Sequence, residues 1–291
     1  MLRLNTKLWS HRAQGSGERF LLKDILASTP LTVRFYRDLV RRIAELSYHN
    51  PEHVLFFRGQ HKGYYKRSSN GRVPSFYPSI YRVLGKSLPD EALEQRFSRL
   101  DWFSDRLLSE FKSQGIAGHD KLAKFPELVW AILQHYEVCP TPLLDITHSL
   151  RVAASFALNG SPNGGYVFVF GFPHPNGSIT YSVEQEVINI RLLSICPPDA
   201  QRPYFQEGFV VGTFPSRRIH RHPNLDVGVR LIAQYRLAGS WFWNGNFQPI
   251  PAKALFPSQD KIKSLCAEIG KDEPQNLTSA STQTRRKQLS G

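Results

Sequence analysis

The order in which its two periodicities occur constrains this chain most. Apolar residues at intervals of three and four mark the first half, above all Leu93, Phe97, Leu100, Phe103, Leu107 and Phe111. Short apolar runs mark the second half, led by Gly165-Tyr166-Val167-Phe168-Val169-Phe170. The first pattern is the stripe of an amphipathic helix and the second a buried strand. Helices early and strands late, without regular alternation, predict an α+β fold over a doubly wound sheet. A chain of 291 residues with 41% apolar content can bury a substantial core in one large domain.

Local signals place the other elements. Val33, Tyr36, Val40, Ile43 and Leu46 carry a helical period. The run Val54-Leu55-Phe56-Phe57 reads as a strand stopping at Arg58-Gly59, which puts Arg58 at a strand end. Gly63, Gly71, Pro74, Pro78 and Gly85 punctuate 61–87 as a long loop. Helices are expected over about 89–113 and 126–136, the second stopped by Pro140 and Pro142. Leu143 to Thr147 reads as a strand, and Ser149 as the cap of a helix burying Val152, Ala153, Phe156 and Ala157. Later strands are expected at Val187 to Leu192, Gly208 to Gly212 and 229–236. The expected division is an N-terminal helical region (1–50), a main domain (51–270) and a disordered tail (271–291) with almost nothing to bury.

Charge narrows the partners. Lys and Arg total 37 against 24 Asp and Glu, a formal charge of +13 that attracts polyanions. Arg58, Lys62, Lys66, Arg67, Arg72, Arg82 and Lys86 fall in a stretch without acids, interleaved with Tyr64, Tyr65, Tyr77 and Tyr81. Cations among aromatics suit phosphate gripping and base stacking. A second cluster holds Arg217, Arg218, His220, Arg221 and His222. Lys62, Lys66, Arg67, Arg72, Arg217, Arg218 and Arg221 are therefore candidate nucleic-acid contacts, solvated surface charge being the alternative.

Several chemistries lack their motifs. There is no glycine-rich phosphate loop ending in Lys-Ser/Thr, no His-Glu-x-x-His, no Gly-x-Ser-x-Gly and no Cys-x-x-Cys, so no metal is expected. Cys139, Cys196 and Cys266, odd in number and widely spaced, argue against a disulfide framework. No stretch approaches the roughly 18 apolar residues of a membrane span, and no leader is recognisable. A soluble cytoplasmic protein is expected.

An ordered set of short motifs resembles the FRG domain family. It comprises Phe57-Arg58-Gly59-Gln60, the Pro74 to Arg82 segment, Gln134-His135-Tyr136, and Pro140-Thr141-Pro142-Leu143-Leu144-Asp145-Ile146-Thr147 with Ala153, Phe156 and Ala157 behind. Arg202, Gln206 and Gly208, with Phe209 following, are similar to the family's later Arg-x-x-x-Gln-x-Gly pattern, so the resemblance covers roughly 50–215. Glu137 stands where the family usually has Gly, and Pro142 where it often has Arg.

A second likeness concerns chemistry. An Arg ending an early strand, the strand end Thr147-His148-Ser149 before a short helix, and a later Gln or Glu resemble the three-part signature of ADP-ribosyltransferases. The resemblance implies an ADP-ribosyltransferase-like mixed or antiparallel β core with flanking helices, occupying 51–270, and NAD as donor. Arg58, Thr147, Gln206 and Glu207 would be catalytic, with Gln60, Tyr64, Tyr81, Tyr136, Asp145 and Ser149 joining Arg58 against NAD. Breaking the nicotinamide–ribose bond builds positive charge on the ribose, so such a site needs a polar group by the ribose and a grip on the pyrophosphate. A planar guanidinium suits the grip. Tyr64, Tyr81 or Tyr136 can stack on nicotinamide, Gln206 can bond a ribose hydroxyl, and Glu207 can orient or deprotonate the acceptor. Glu184 or Glu186, ahead of a strand, stays open as the third element. Arg58 paired with Asp145 for stability alone, and His135 as a satisfied core histidine, stay open too.

The expected function is therefore NAD-dependent ADP-ribosylation of nucleic acid, RNA in the first place, by a toxin or anti-phage effector that an antitoxin or chaperone protein restrains. An NAD glycohydrolase toxin and a non-catalytic nucleic-acid-binding FRG module are the alternatives.

Overall fold

A computed structural model of the chain describes residues 1–68, 71–83, 87–245 and 247–272. Lys86 and the expected tail beyond Asp272 lie outside them. In chain order the elements are α1 (Leu22–Ala27), β1 (Leu31–Val33), α2 (Tyr36–His49), β2 (Val54–Gln60), β3 (Tyr65–Ser68), β4 (Gly71–Pro74), α3 (Asp90–Ser113), α4 (His119–Leu122), α5 (Pro126–His135), β5 (Leu143–Thr147) and α6 (Leu150–Leu158). There follow β6 (Gly165–Phe172), β7 (Ile179–Ser182), β8 (Val187–Arg191), α7 (Leu192–Ile195), α8 (Arg202–Phe205), β9 (Gly208–Thr213), β10 (Leu231–Leu237), α9 (Ala252–Leu255) and α10 (Lys261–Ile269). Short 3-10 turns connect several of these.

Eight strands form one sheet in the order β1-β10-β6-β2-β5-β9-β8-β7, antiparallel except for β1 beside β10. The expected α+β class is what the chain adopts. Residues 1–50, expected as a helical region, supply α1 and α2 but also edge strand β1, and Leu4, Leu8 and Trp9 join the core against β6 and β10. Val33 belongs to β1 rather than to the helix expected there, since α2 starts at Tyr36. The 61–87 segment, expected as loop, holds the separate two-stranded β3–β4 hairpin.

Two helical layers cover the sheet. On one side α3, α5 and α10 bury Leu93, Phe97, Phe103, Phe111, Ile132 and Leu265 against β8 and β9. Elsewhere α2 and α6 cover β2, β6 and β10. Ser149 caps α6, its Oγ accepting from Val152 N at 3.4 Å. Alanines 153, 154 and 157 let this helix lie close to the strands, and Gly59 and Gly165 receive it.

One seam positions the site. β2 pairs with β6 at every position from Val54 to Gln60, and β5 with β9 from Leu143 to Thr147. Between β2 and β5 the register holds only Phe57 opposite Thr147. Past that pair the two half-sheets part, leaving strand edges whose polar groups need other partners.

Candidate functional site

Arg58 bridges the seam. It lies inside β2 rather than at its end, because the strand continues through Gly59 and Gln60 against Val167 and Tyr166 of β6. Its Nη1 donates to the main-chain O of Asp145 on β5 at 2.6 Å. The guanidinium thus supplies the cross-strand bond that the ladder lacks. Its Nε is buried without a partner. Burial pushes the guanidinium below its ordinary pKa, with the neighbouring Asp145 opposing that.

The Asp145 carboxylate orients its neighbours. Gln134 Nε2 donates to Oδ2 at 2.6 Å, and His135 Nδ1 lies 3.2 Å from Oδ1. Burial raises the Asp145 pKa, but the His135 and Gln134 hydrogen bonds and the charge of Arg58 outweigh it and hold the carboxyl below its ordinary value. Asp145 is therefore an acceptor at neutral pH.

A cleft of about 260 Å³ opens at the seam, lined by Phe57, Arg58, Gly59, His135, Glu137, Asp145, Ile146, Thr147, Phe156, Arg202, Gln206, Gly208 and Phe256. Arg58, Thr147 and Gln206 thus share one cavity. At its mouth Arg202 Nη2 meets Glu137 Oε1 at 2.8 Å, and the Arg202 guanidinium lies 5.2 Å from the Phe256 ring centre. Glu137 has φ 59, in the left-handed region that Gly adopts without strain.

Other expected roles do not match the geometry. Gln206 is not on a strand: it ends α8, and its Nε2 donates to Leu255 O at 2.7 Å. Thr147 Oγ1 donates to Gln206 O at 2.8 Å and accepts from Ser149 N at 3.0 Å, so it fastens the α8–β9 turn to β5. Ser149 is occupied in capping α6. Glu207 (φ 43) turns away from the Arg58 cleft and lines a different cavity with His148, Arg191 and Phe209. Glu184 and Glu186 sit in the β7–β8 turn, not on one strand face, and Glu186 Oε2 holds the Met1 ammonium at 3.3 Å. Tyr81 and Tyr136 face the core, their hydroxyls bonded to Ser216 O and Asp260 Oδ2, so neither can stack on a ligand in the cleft.

A second cavity of about 500 Å³ lies beyond Arg58, which lines both. Gln60, Tyr64, Arg82 and Arg221 face it, with Tyr65 and Lys66 from the hairpin. Two of its cations are fixed in place: Arg82 Nε donates to Tyr77 O at 3.0 Å, and Arg221, 4.0 Å over the Tyr77 ring, donates from Nε to Tyr81 O. The Gln60 Oε1 is buried without a partner. Lys66, expected to meet nucleic acid, is tied at 2.6 Å to Asp226 Oδ2. Arg217 is likewise paired with Asp101 at 2.9 Å, and Arg72 stacks on Tyr65. Lys62 and Arg67 are exposed and Arg218 half-buried.

Asp226 is the latch of this wall. Only 1% of its side chain is exposed, and besides Lys66 and Ser75 it accepts from Phe76 N and Gly228 N, both at 2.8 Å. Asp226→Ala leaves two buried amides unsatisfied, and we expect unfolding free energy to fall by about 3 kcal/mol. A urea midpoint equal to that of the native chain would show the latch to be dispensable.

Reasoning from sequence missed the orphaned imidazole nitrogen of His135 and the Glu137–Arg202 pair. A His-Tyr dipeptide next to Glu carries no mark of which side chain turns outward. Among the described residues no group of three His, Cys, Asp or Glu is disposed to hold a metal ion, and no helix is long and apolar enough to cross a membrane.

Fold and site together define an α+β protein whose mostly antiparallel sheet is pinned at one seam by an arginine. Residues 53–164, from the start of β2 to just past α6, match the family model described as FRG domain. Arg58, His135, Glu137, Asp145 and Thr147 fall inside this span; Arg202 and Gln206 fall outside it. No curated protein and no solved structure matches the chain.

Proposed function

We propose that the chain is an NAD-dependent ADP-ribosyltransferase that modifies nucleic acid, RNA in the first place. One observation carries this reading: Arg58 stands between a small cleft holding polar groups and a larger cavity lined by cations and tyrosines. A dinucleotide fits that plan, with its pyrophosphate at the guanidinium. The nicotinamide ribose would enter the smaller cleft, where Asp145 and Glu137 supply the negative charge that steadies the developing cation. The adenosine half would lie toward Tyr64, Arg82 and Arg221.

The acceptor follows from charge. A formal +13 concentrates polyanions at the surface, and RNA and NAD meet in the cytoplasm. An enzyme of this kind acts as a toxin or anti-phage effector and requires a restraining antitoxin or chaperone protein. Asp145, Glu137 and Tyr64 take the places that Glu207 and the tyrosines at 81 and 136 were expected to fill.

Incubating the purified chain with NAD labelled in its ADP-ribose half, and RNA, DNA or cell protein, tests this directly. Label on RNA with equal release of nicotinamide is expected. Free ADP-ribose formed without any macromolecule would replace the transferase by a glycohydrolase. Salt-sensitive RNA binding with no nicotinamide released would leave a binding module.

A further inference from the structure

Three buried nitrogens of the cleft lack a partner: Arg58 Nε, Arg202 Nε and His135 Nε2. Guanidinium nitrogens can only donate, whereas an imidazole nitrogen can present a lone pair. His135 ends α5 with 2% of its side chain exposed, so its ring is held by protein rather than by water. Nδ1 faces Asp145 Oδ1 at 3.2 Å, Tyr136 packs edge-on at 5.6 Å, and Gly208 leaves room beside the ring, where a Cβ would stand 3.4 Å from Cε1. A carboxylate acceptor at Nδ1 requires the proton there, which leaves Nε2 as the basic nitrogen. His135 lines the cleft, and a histidine that served packing alone would gain nothing from an unpartnered ring nitrogen.

We propose that His135 is a catalytic residue, its Nε2 removing the proton of the acceptor as ADP-ribose is transferred; this rests on the transferase reading above. In that step an acceptor oxygen or nitrogen bonds to C1′ of the ribose. The bond from C1′ to the nicotinamide nitrogen breaks, its electron pair leaving with neutral nicotinamide. The acceptor's proton moves to Nε2, and the resulting imidazolium is steadied by Asp145 until the proton passes to solvent. Arg58 from β2, and Glu137 and Arg202 at the mouth, are the other charged groups lining the same cleft.

His135→Asn separates the two ring nitrogens, because a side-chain amide can still donate to Asp145 but offers no base in place of Nε2. We expect kcat for transfer to fall about 100-fold, the usual scale for a lost general base, with KM for NAD nearly unchanged. If Nε2 is the base, the native chain should lose transfer rate on acidification and the variant should not. Nitrogen NMR of the native chain gives a second readout: the Nε2 signal should be that of an unprotonated nitrogen and should move when ADP-ribose is added. Native kcat and pH profile in His135→Asn overturn the assignment while leaving the transferase intact, and so does an Nε2 signal that ADP-ribose leaves unmoved. If the native chain releases no nicotinamide in any mixture, the transferase reading falls and the role of His135 falls with it.

Discussion

Gly59→Ala should remove a large part of the stability of this protein. A Cβ at position 59 would overlap the main-chain O of Ala153 and stand 2.7 Å from its carbonyl carbon and 2.9 Å from Ala157 N. These are backbone atoms of α6, so no rotamer change relieves the clash and the helix itself must lift from β2. Overpacking commonly costs about 1–3 kcal/mol where side chains can yield. Here they cannot, and a loss of about 3 kcal/mol or more is expected against a typical total of about 5–15. Gly17→Ala, with open space around its Cβ, is the matched control and should shift the urea midpoint little. Equal midpoints for the two variants would mean that α6 does not lie on β2 in this way.

Arg58→Ala should lower NAD turnover by about 100-fold or more, the scale expected when a positioned donor is lost from a charged transition state. The side chain has two duties that must be separated: it bonds Asp145 O across the seam and it faces both cavities. Arg58→Lys keeps a charge at the seam but not the planar fork. It should hold more of the fold than alanine does while still losing most of the turnover. Nicotinamide release at the native rate by either variant, measured on folded protein, would remove Arg58 from the reaction.

The glycine signal was legible only in part. Phe57-Arg58-Gly59-Gln60 was singled out by its residues, yet the strand was ended too early. What extends it is pairing with Val167 and Tyr166, more than a hundred positions away, and no local pattern encodes that. Elements with strong local marks fared better: the α3 stripe, β5 between Pro142 and Ser149, and the capped α6 stand where they were expected. The β3–β4 hairpin escaped notice because its strands are short and polar. Helix α10 escaped as well, although Ile262, Leu265, Cys266 and Ile269 carry its period.

Site residues divide along the same line. Arg58, Thr147 and Gln206 were brought into one cleft, but what each side chain bonds was not readable from types and spacing. Tyr136 turns inward because buried Asp260, which also accepts from Arg202 N, receives its hydroxyl. Gln206 and Glu207, adjacent in sequence, line separate cavities because a turn with positive φ lies between α8 and β9.

The hairpin's independence from the main sheet has an architectural consequence. Tyr65 and Lys66 reach the larger cavity from a ribbon that shares no ladder with the strand bearing Arg58. On the transferase reading proposed above, selectivity and chemistry would be borne by different parts. Because Asp226 holds the ribbon through Lys66, a change in the ribbon would alter the wall of the larger cavity while Arg58 keeps its bond to Asp145 O at the seam.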